Sequence, residues 1–179
     1  MRIFSLLFLA LMLTGCGQTG AEPNSAAATV TVVDAIDDQR RCHQCGMAIT
    51  RYPGPKGVVQ LQGQPAQLAF CSSGDMFQFL LQPQNQRQVA QAWVHDLAIT
   101  DWDKPADSAF IHAKDAWYVT SSSRHGAMGP TLASFSSEQA ATEFASAYGG
   151  VVLPYAQLTL NNLGTLAHKG HGHGQSHGN

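Results

Sequence analysis

Apolar positions along the chain fall into short runs separated by polar and Gly/Pro-rich text. Five runs are strand-like: Gly46 to Ile49, Gly57 to Leu61, Pro65 to Phe70, Ala116 to Thr120 and Thr131 to Phe135. Two helix-like segments follow such runs, Phe70 to Phe79 and Phe135 to Phe144. In each, two aromatics stand nine residues apart, and a Ser near the first supplies a helix N-cap. The segments can be laid over one another as a weak internal repeat. This pattern predicts an α+β protein of two similar β-β-α units, about Asp38 to Gln82 and about Asp115 to Leu153. They should pack together, because neither is large enough to be stable without its neighbour. A segment containing Trp93 to Trp102 is expected between them, with Trp93, Trp102 and Trp117 as core or interface residues.

The ends read differently. Residues 1–15 carry one cation, an apolar run from Ile3 to Leu13, and then Thr14-Gly15. That run is too short to span a bilayer and has the form of a secretory signal. Leu13-Thr14-Gly15-Cys16 resembles the bacterial lipobox, so Cys16 is the expected lipidation site and first residue of the mature protein. Gln18 stands where an inner-membrane retention signal would carry Asp, which favours the outer membrane as the anchor. Residues 16–33 read as a lipidated tether, too poor in apolar bulk to fold. Residues 34–160 form the body, and 161–179 a disordered His/Gly-rich tail able to bind divalent metal loosely.

Charged residues make up 12% of the chain and the formal net charge is −2. With no basic patch to hold phosphate, nucleic acid is not an expected partner. No Ser/His/Asp set, paired carboxylates or phosphate loop stands out, and no catalysed reaction is expected. Setting Cys16 aside leaves Cys42, Cys45 and Cys71, an odd number in an oxidising compartment where structural cysteines pair. At least one thiol is left over.

Arg41-Cys-His-Gln-Cys-Gly-Met-Ala-Ile49 holds two overlapping signals. Cys42-x-x-Cys45 has the spacing of a redox pair or half a zinc site. Cys45-x-Met47 sets a thiolate and a thioether two residues apart; on a strand both would point to one face. That soft pair suits copper(I), and a thioether cannot be lost to disulfide pairing. Met128, in the turn-forming Gly126-Ala-Met-Gly-Pro130, is the candidate third ligand. Met76, among Phe77, Phe79 and Leu80, is a core residue by its setting. His43 is either a ligand or solvated, His125 a candidate supporting or fourth ligand, and His95 and His112 read as core histidines. A site built to hand over metal should be shallow and open on one side. The alternative reading is a thiol–disulfide oxidoreductase using Cys42 and Cys45.

Taken in order, several stretches resemble the NosL family, the accessory lipoproteins of bacterial nitrous-oxide reductase maturation. They are Cys45-Gly-Met47, Tyr52-Pro-Gly-Pro-Lys56, the Phe70 helix, Trp93 to Trp102, Asp115-Ala-Trp-Tyr-Val119, Gly126-Ala-Met-Gly-Pro130 and Phe135 to Gly150. The resemblance implies paired β-β-α units like those of the organomercurial lyase, without lyase activity. It implies copper(I) held by one Cys and Met residues, mapping onto Cys45, Met47 and Met128. Delivery would reach nitrous-oxide reductase through an ABC-type transporter complex with a periplasmic subunit. Cys42 and Cys71 lie outside the family motif, which leaves open a resting disulfide or a contribution of Cys42 to the metal site.

Overall fold

The structure, a computed structural model, describes residues 33–163. Its first sheet is built on β1 (Gly57–Leu61), whose Val58 and Val59 are fully buried. β1 pairs antiparallel with β2 (Leu68–Phe70) on one side and with β3 (Val89–His95) on the other. β4 (Phe110–His112) joins the outer edge of β3, so the order is β2-β1-β3-β4. Between β2 and β3 lies α1 (Ser73–Leu80). Its N-cap Ser72 accepts a hydrogen bond from the Asp75 N–H at 3.0 Å, satisfying one of the first-turn donors. A short α2 (Pro83–Gln86) opens on proline, whose missing N–H costs nothing at that position.

The second sheet is built on β5 (Trp117–Thr120). The chain then makes a small hairpin, β6 (His125–Gly126) with β7 (Gly129–Pro130), before β8 (Ala133–Phe135) returns beside β5. α3 (Glu138–Tyr148) follows, capped by the Ser137 hydroxyl, which accepts from Ala140 N–H at 3.2 Å. Gly149 and Gly150, at φ of +71° and +110°, reverse the chain into β9 (Val151–Pro154) on the free side of β5. Added to Gly150, a Cβ would stand 2.5 Å from the Thr120 carbonyl oxygen, so glycine is required there.

The class is α+β, as the periodicity predicts. In both sheets the first strand is central, the second lies on one flank, and a third returns to the other flank after a helix. That third strand is absent from the β-β-α pattern. The Trp93 to Trp102 stretch, expected between the units, instead starts inside β3, a strand of the first sheet. The nine-residue aromatic spacing closes as packed pairs, Phe70–Phe79 at 5.5 Å and Phe135–Phe144 at 5.1 Å between centroids. The sheets join through Ser134, whose hydroxyl donates to the His95 carbonyl at 2.7 Å and whose own carbonyl accepts from Leu97 N–H at 2.9 Å. Phe77 of α1 meets Tyr118 of β5 edge-on at 5.0 Å, both fully buried. Each such side chain contributes about 1.5–3 kcal/mol by leaving water. Met76 is fully buried, as expected of a core residue; His112, expected in the core, is exposed and lies against Trp93.

Gly46 to Ile49 is not a strand. Arg41 and Ala48 form a single bridge, Cys42 to Met47 is a turn, and Ile49–Arg51 is a 3-10 helix. Gly46 adopts φ of +74°, in the left-handed region that extended backbone cannot use.

Candidate metal centre

The turn begins at Cys42, whose N–H donates to the Met47 carbonyl at 2.9 Å and whose carbonyl accepts from Gly46 N–H at 2.8 Å. These bonds curl the chain between the two residues, so Cys45 and Met47 do not stand in the i, i+2 relation of a strand. A third bond, His43 N–H to the Ala69 carbonyl at 2.8 Å, fastens the turn to β2. The His43 ring adds two edge contacts, to Phe70 at 5.8 Å and Phe79 at 5.3 Å. Cys71 follows directly where β2 ends, one residue before the Ser72 cap. Fastening the turn to Ala69 therefore brings Cys42 and Cys45 onto Cys71.

The ligand atoms of Cys42, Cys45, Cys71 and Asp75 all lie within 4.8 Å of one another. The Cys45 and Cys71 sulfurs are 3.5 Å apart, and the Cys71 thiol is 3.0 Å from Asp75 Oδ2. Cys42, Cys71 and Asp75 are buried and Cys45 is exposed, so the cluster opens to solvent on one side. Thiolate–metal bonds are about 2.3 Å long, so donors to one ion are at most about 4.6 Å apart. A small contraction would close this set on a single cation.

The cluster carries its charge unevenly. Hydrogen bonding from the Cys71 thiol, opposed by burial, lowers the Cys42 pKa to about 4. As donor to Cys42, and buried beside the Asp75 carboxyl, Cys71 holds its proton far more tightly than an ordinary thiol. Desolvation raises Cys45 and Asp75. At neutral pH the arrangement is one thiolate held by neighbouring thiols. Such a centre is prepared for a soft cation that displaces the remaining protons.

The residues predicted from sequence stand in different relations to this centre. Cys45 is its exposed member. Met47 is half-buried at the end of the turn. Met128 sits at the tip of the β6–β7 hairpin, 59% exposed, and lines a small cleft with Ser72 and Asp75. His125, on β6, is exposed; Cys16 lies outside the described residues. Sequence reasoning set Cys42 and Cys71 outside the motif and passed over Asp75. The structure gathers all three with Cys45. The available signals were the odd thiol count and the position of Cys71 between a strand end and a Ser cap with Asp75 three residues beyond the cap.

This placement also bears on the redox reading. Cys45 lies 3.5 Å from Cys71 as well as close to Cys42, the partner that reading gave it, so the Cys42-x-x-Cys45 pair is part of a three-thiol group. Cys42, the thiol with the lowest pKa, is only 3% exposed and out of reach of a substrate disulfide.

Residues 32–163 match the family model described as NosL, spanning most of the chain. The chain belongs to the NosL family. Among its relatives is the copper-binding lipoprotein NosL of Stutzerimonas stutzeri, 40% identical over 167 residues, with 93% of this chain and 84% of that protein covered. The copper-binding lipoprotein NosL of Achromobacter cycloclastes is 38% identical over 120 residues, covering 65% of this chain and 62% of that protein. The fold is similar to the crystal structure of the copper chaperone NosL from Shewanella denitrificans, with a TM-score of 0.71 and 43% identity. The match covers 72% of this chain and 96% of that one. These NosL proteins bear the names of binding proteins and chaperones, not of enzymes.

Proposed function

We propose that this protein binds copper(I) at the thiol cluster and carries it, lipid-anchored in the periplasm, for the maturation of nitrous-oxide reductase. The observation that carries the reading is the meeting of Cys42, Cys45 and Cys71, with one thiol open to solvent. Thiolates favour soft cations; with Asp75 alone they would also suit zinc. Two features favour copper(I). The relatives are named for copper, and two thioethers are candidates to complete the shell: Met47, two residues from Cys45, and Met128, in a cleft that Asp75 also lines.

In this reading Cys42 and Cys71 form the buried floor and Cys45 the exposed wall. Met47 and Met128 are the weaker donors that release first when a partner's ligand arrives. An open side is required for such an exchange, because the incoming ligand must bind before the last donor leaves. The partner is an ABC-type transporter complex with a periplasmic subunit, and the anchor is a lipid on Cys16, held in the outer membrane.

Anaerobic copper(I) titration against a chromophoric chelator, followed by X-ray absorption of the loaded protein, tests the proposal. One copper(I) per chain with a sulfur-dominated shell is expected, and Cys45→Ala should weaken it at least tenfold. Only nitrogen and oxygen around the ion, or tighter binding of zinc(II) than of copper(I), would overturn it.

A further inference from the structure

A second feature lies away from the thiols, where β3 ends. His95 is 1% exposed. Its ring stacks on Phe110 at 3.9 Å, and its Nδ1 accepts the Lys56 N–H at 3.0 Å. Burial, reinforced by the Lys56 charge, lowers its pKa to about 3, so the imidazole is neutral. With Nδ1 an acceptor, the single ring proton sits on Nε2. No protein group among the described residues accepts from Nε2. A buried donor left without an acceptor is destabilising. Metal coordination would not relieve it, since the proton would have to move to Nδ1 and oppose the Lys56 N–H.

Lys56 is the second unusual group. It is 3% exposed, and its ammonium donates to the carbonyls of Tyr52 at 2.5 Å and Pro53 at 3.1 Å. It pairs with no carboxylate among the described residues. An ammonium has three protons, so one remains. Both residues line a cavity of about 350 Å³, within the range of small-molecule sites and far larger than one water needs. Ile36, Ile49 and Tyr52 give it an apolar wall.

Carboxylates also reach this cavity, but all are exposed and engaged. Asp38 accepts from the Thr50 hydroxyl at 2.9 Å, Asp107 from Ile36 N–H at 2.9 Å, and Asp103 lies 3.9 Å from Arg124. Their charge is solvated at the mouth, whereas the buried cation and the unspent N–H lie out of water. The interior therefore calls for an acceptor of negative charge.

We propose that this cavity binds a small carboxylate-bearing molecule. Its oxygens take the hydrogen bonds of His95 Nε2 and Lys56 Nζ, and its carbon skeleton lies against Ile36, Ile49 and Tyr52. None of the three cysteines lines it, so the cavity is spatially separate from the thiol cluster, although Lys56 senses the charge of Cys71.

The test is nitrogen-15 NMR of the full chain, following the His95 Nε2–H signal during titration with sodium succinate. Succinamide, of the same shape without the charge, is the control. A saturable shift is expected with succinate, and binding at least tenfold weaker with succinamide. Lys56→Met should weaken succinate binding about tenfold or more, as expected for loss of a charge-assisted bond. Lys104→Gln, at the exposed mouth, should change it less than about twofold. No saturable shift at His95, or equal binding of succinamide, would overturn the proposal. The wild-type titrations decide it even if Lys56→Met does not fold.

Discussion

Replacing Cys71 with alanine separates the three-thiol centre from a site of Cys45, Met47 and Met128 alone. Cys71 is fully buried, and its sulfur is 3.5 Å from that of Cys45 and 3.0 Å from Asp75 Oδ2. Removing it leaves Cys42, Cys45 and Asp75 around a gap the size of one sulfur. Loss of a partner that merely supports a metal ligand already costs 10–100-fold in affinity, so loss of a direct thiolate should cost about 100-fold or more. That corresponds to about 2.7 kcal/mol. Copper(I) affinity would be measured anaerobically by chelator competition at fixed pH, beside wild type. The fold should survive. The small cavity and the lost hydrogen bond of the Cys71 thiol together cost about 1–2 kcal/mol, a fall of a few degrees in Tm. A second readout follows from the same geometry. Hydrogen bonding from Cys71 is the main cause of the low Cys42 pKa, so the Cys42 thiol should titrate at higher pH in the variant. An affinity within threefold of wild type in a folded Cys71→Ala protein would refute the three-thiol centre.

Copper(I) affinity should rise with pH through neutrality, because Cys45 and Cys71 have raised pKa values and must release protons on binding, whereas Cys42 is already ionised. Two displaced protons give about 100-fold per pH unit; chelator competition at pH 6, 7 and 8 reads it, and a flat profile contradicts the proton assignment. His95 makes the fold acid-sensitive. Its pKa is about 3 when folded and about 6.5 when unfolded, so the unfolded chain takes the proton first and stability falls as pH drops below about 6.5, levelling off near 3. The fall is about 1.4 kcal/mol per pH unit in that window, and denaturant melts from pH 7 to 4 would show no such loss in a folded His95→Phe variant if His95 is its source. At Gly57→Ala a new Cβ would stand 2.6 Å from the Met76 sulfur and 2.7 Å from its Cβ. That overpacking should cost about 1–3 kcal/mol by chemical denaturation, and Met76→Ala in the same chain should relieve part of it; equal stability of wild type and Gly57→Ala would show that the interface can yield.

The sequence by itself determined the local features. Short strand-like apolar runs marked β1, β2, β5 and β8 to within a few residues. Ser72 and Ser137 marked both helix starts, because a cap is a contact between neighbours in the chain. Gly and Pro around Met128 announced an exposed turn, since those residues select the backbone directly. Only the tertiary structure decided which sulfurs meet. Cys71 is 26 residues from Cys45, and their approach rests on one bond from His43 N–H to Ala69 and on aromatic contacts of the His43 ring. No spacing rule encodes a loop fastened to a distant strand. The same limit explains the misreading of Gly46 to Ile49, where a short apolar run suggested a strand but the left-handed Gly46 and the Cys42–Met47 bond made a turn. His95 was legible as a core histidine from its apolar neighbours. That its Nε2 faces no acceptor depends on Lys56, 39 residues away, having taken Nδ1.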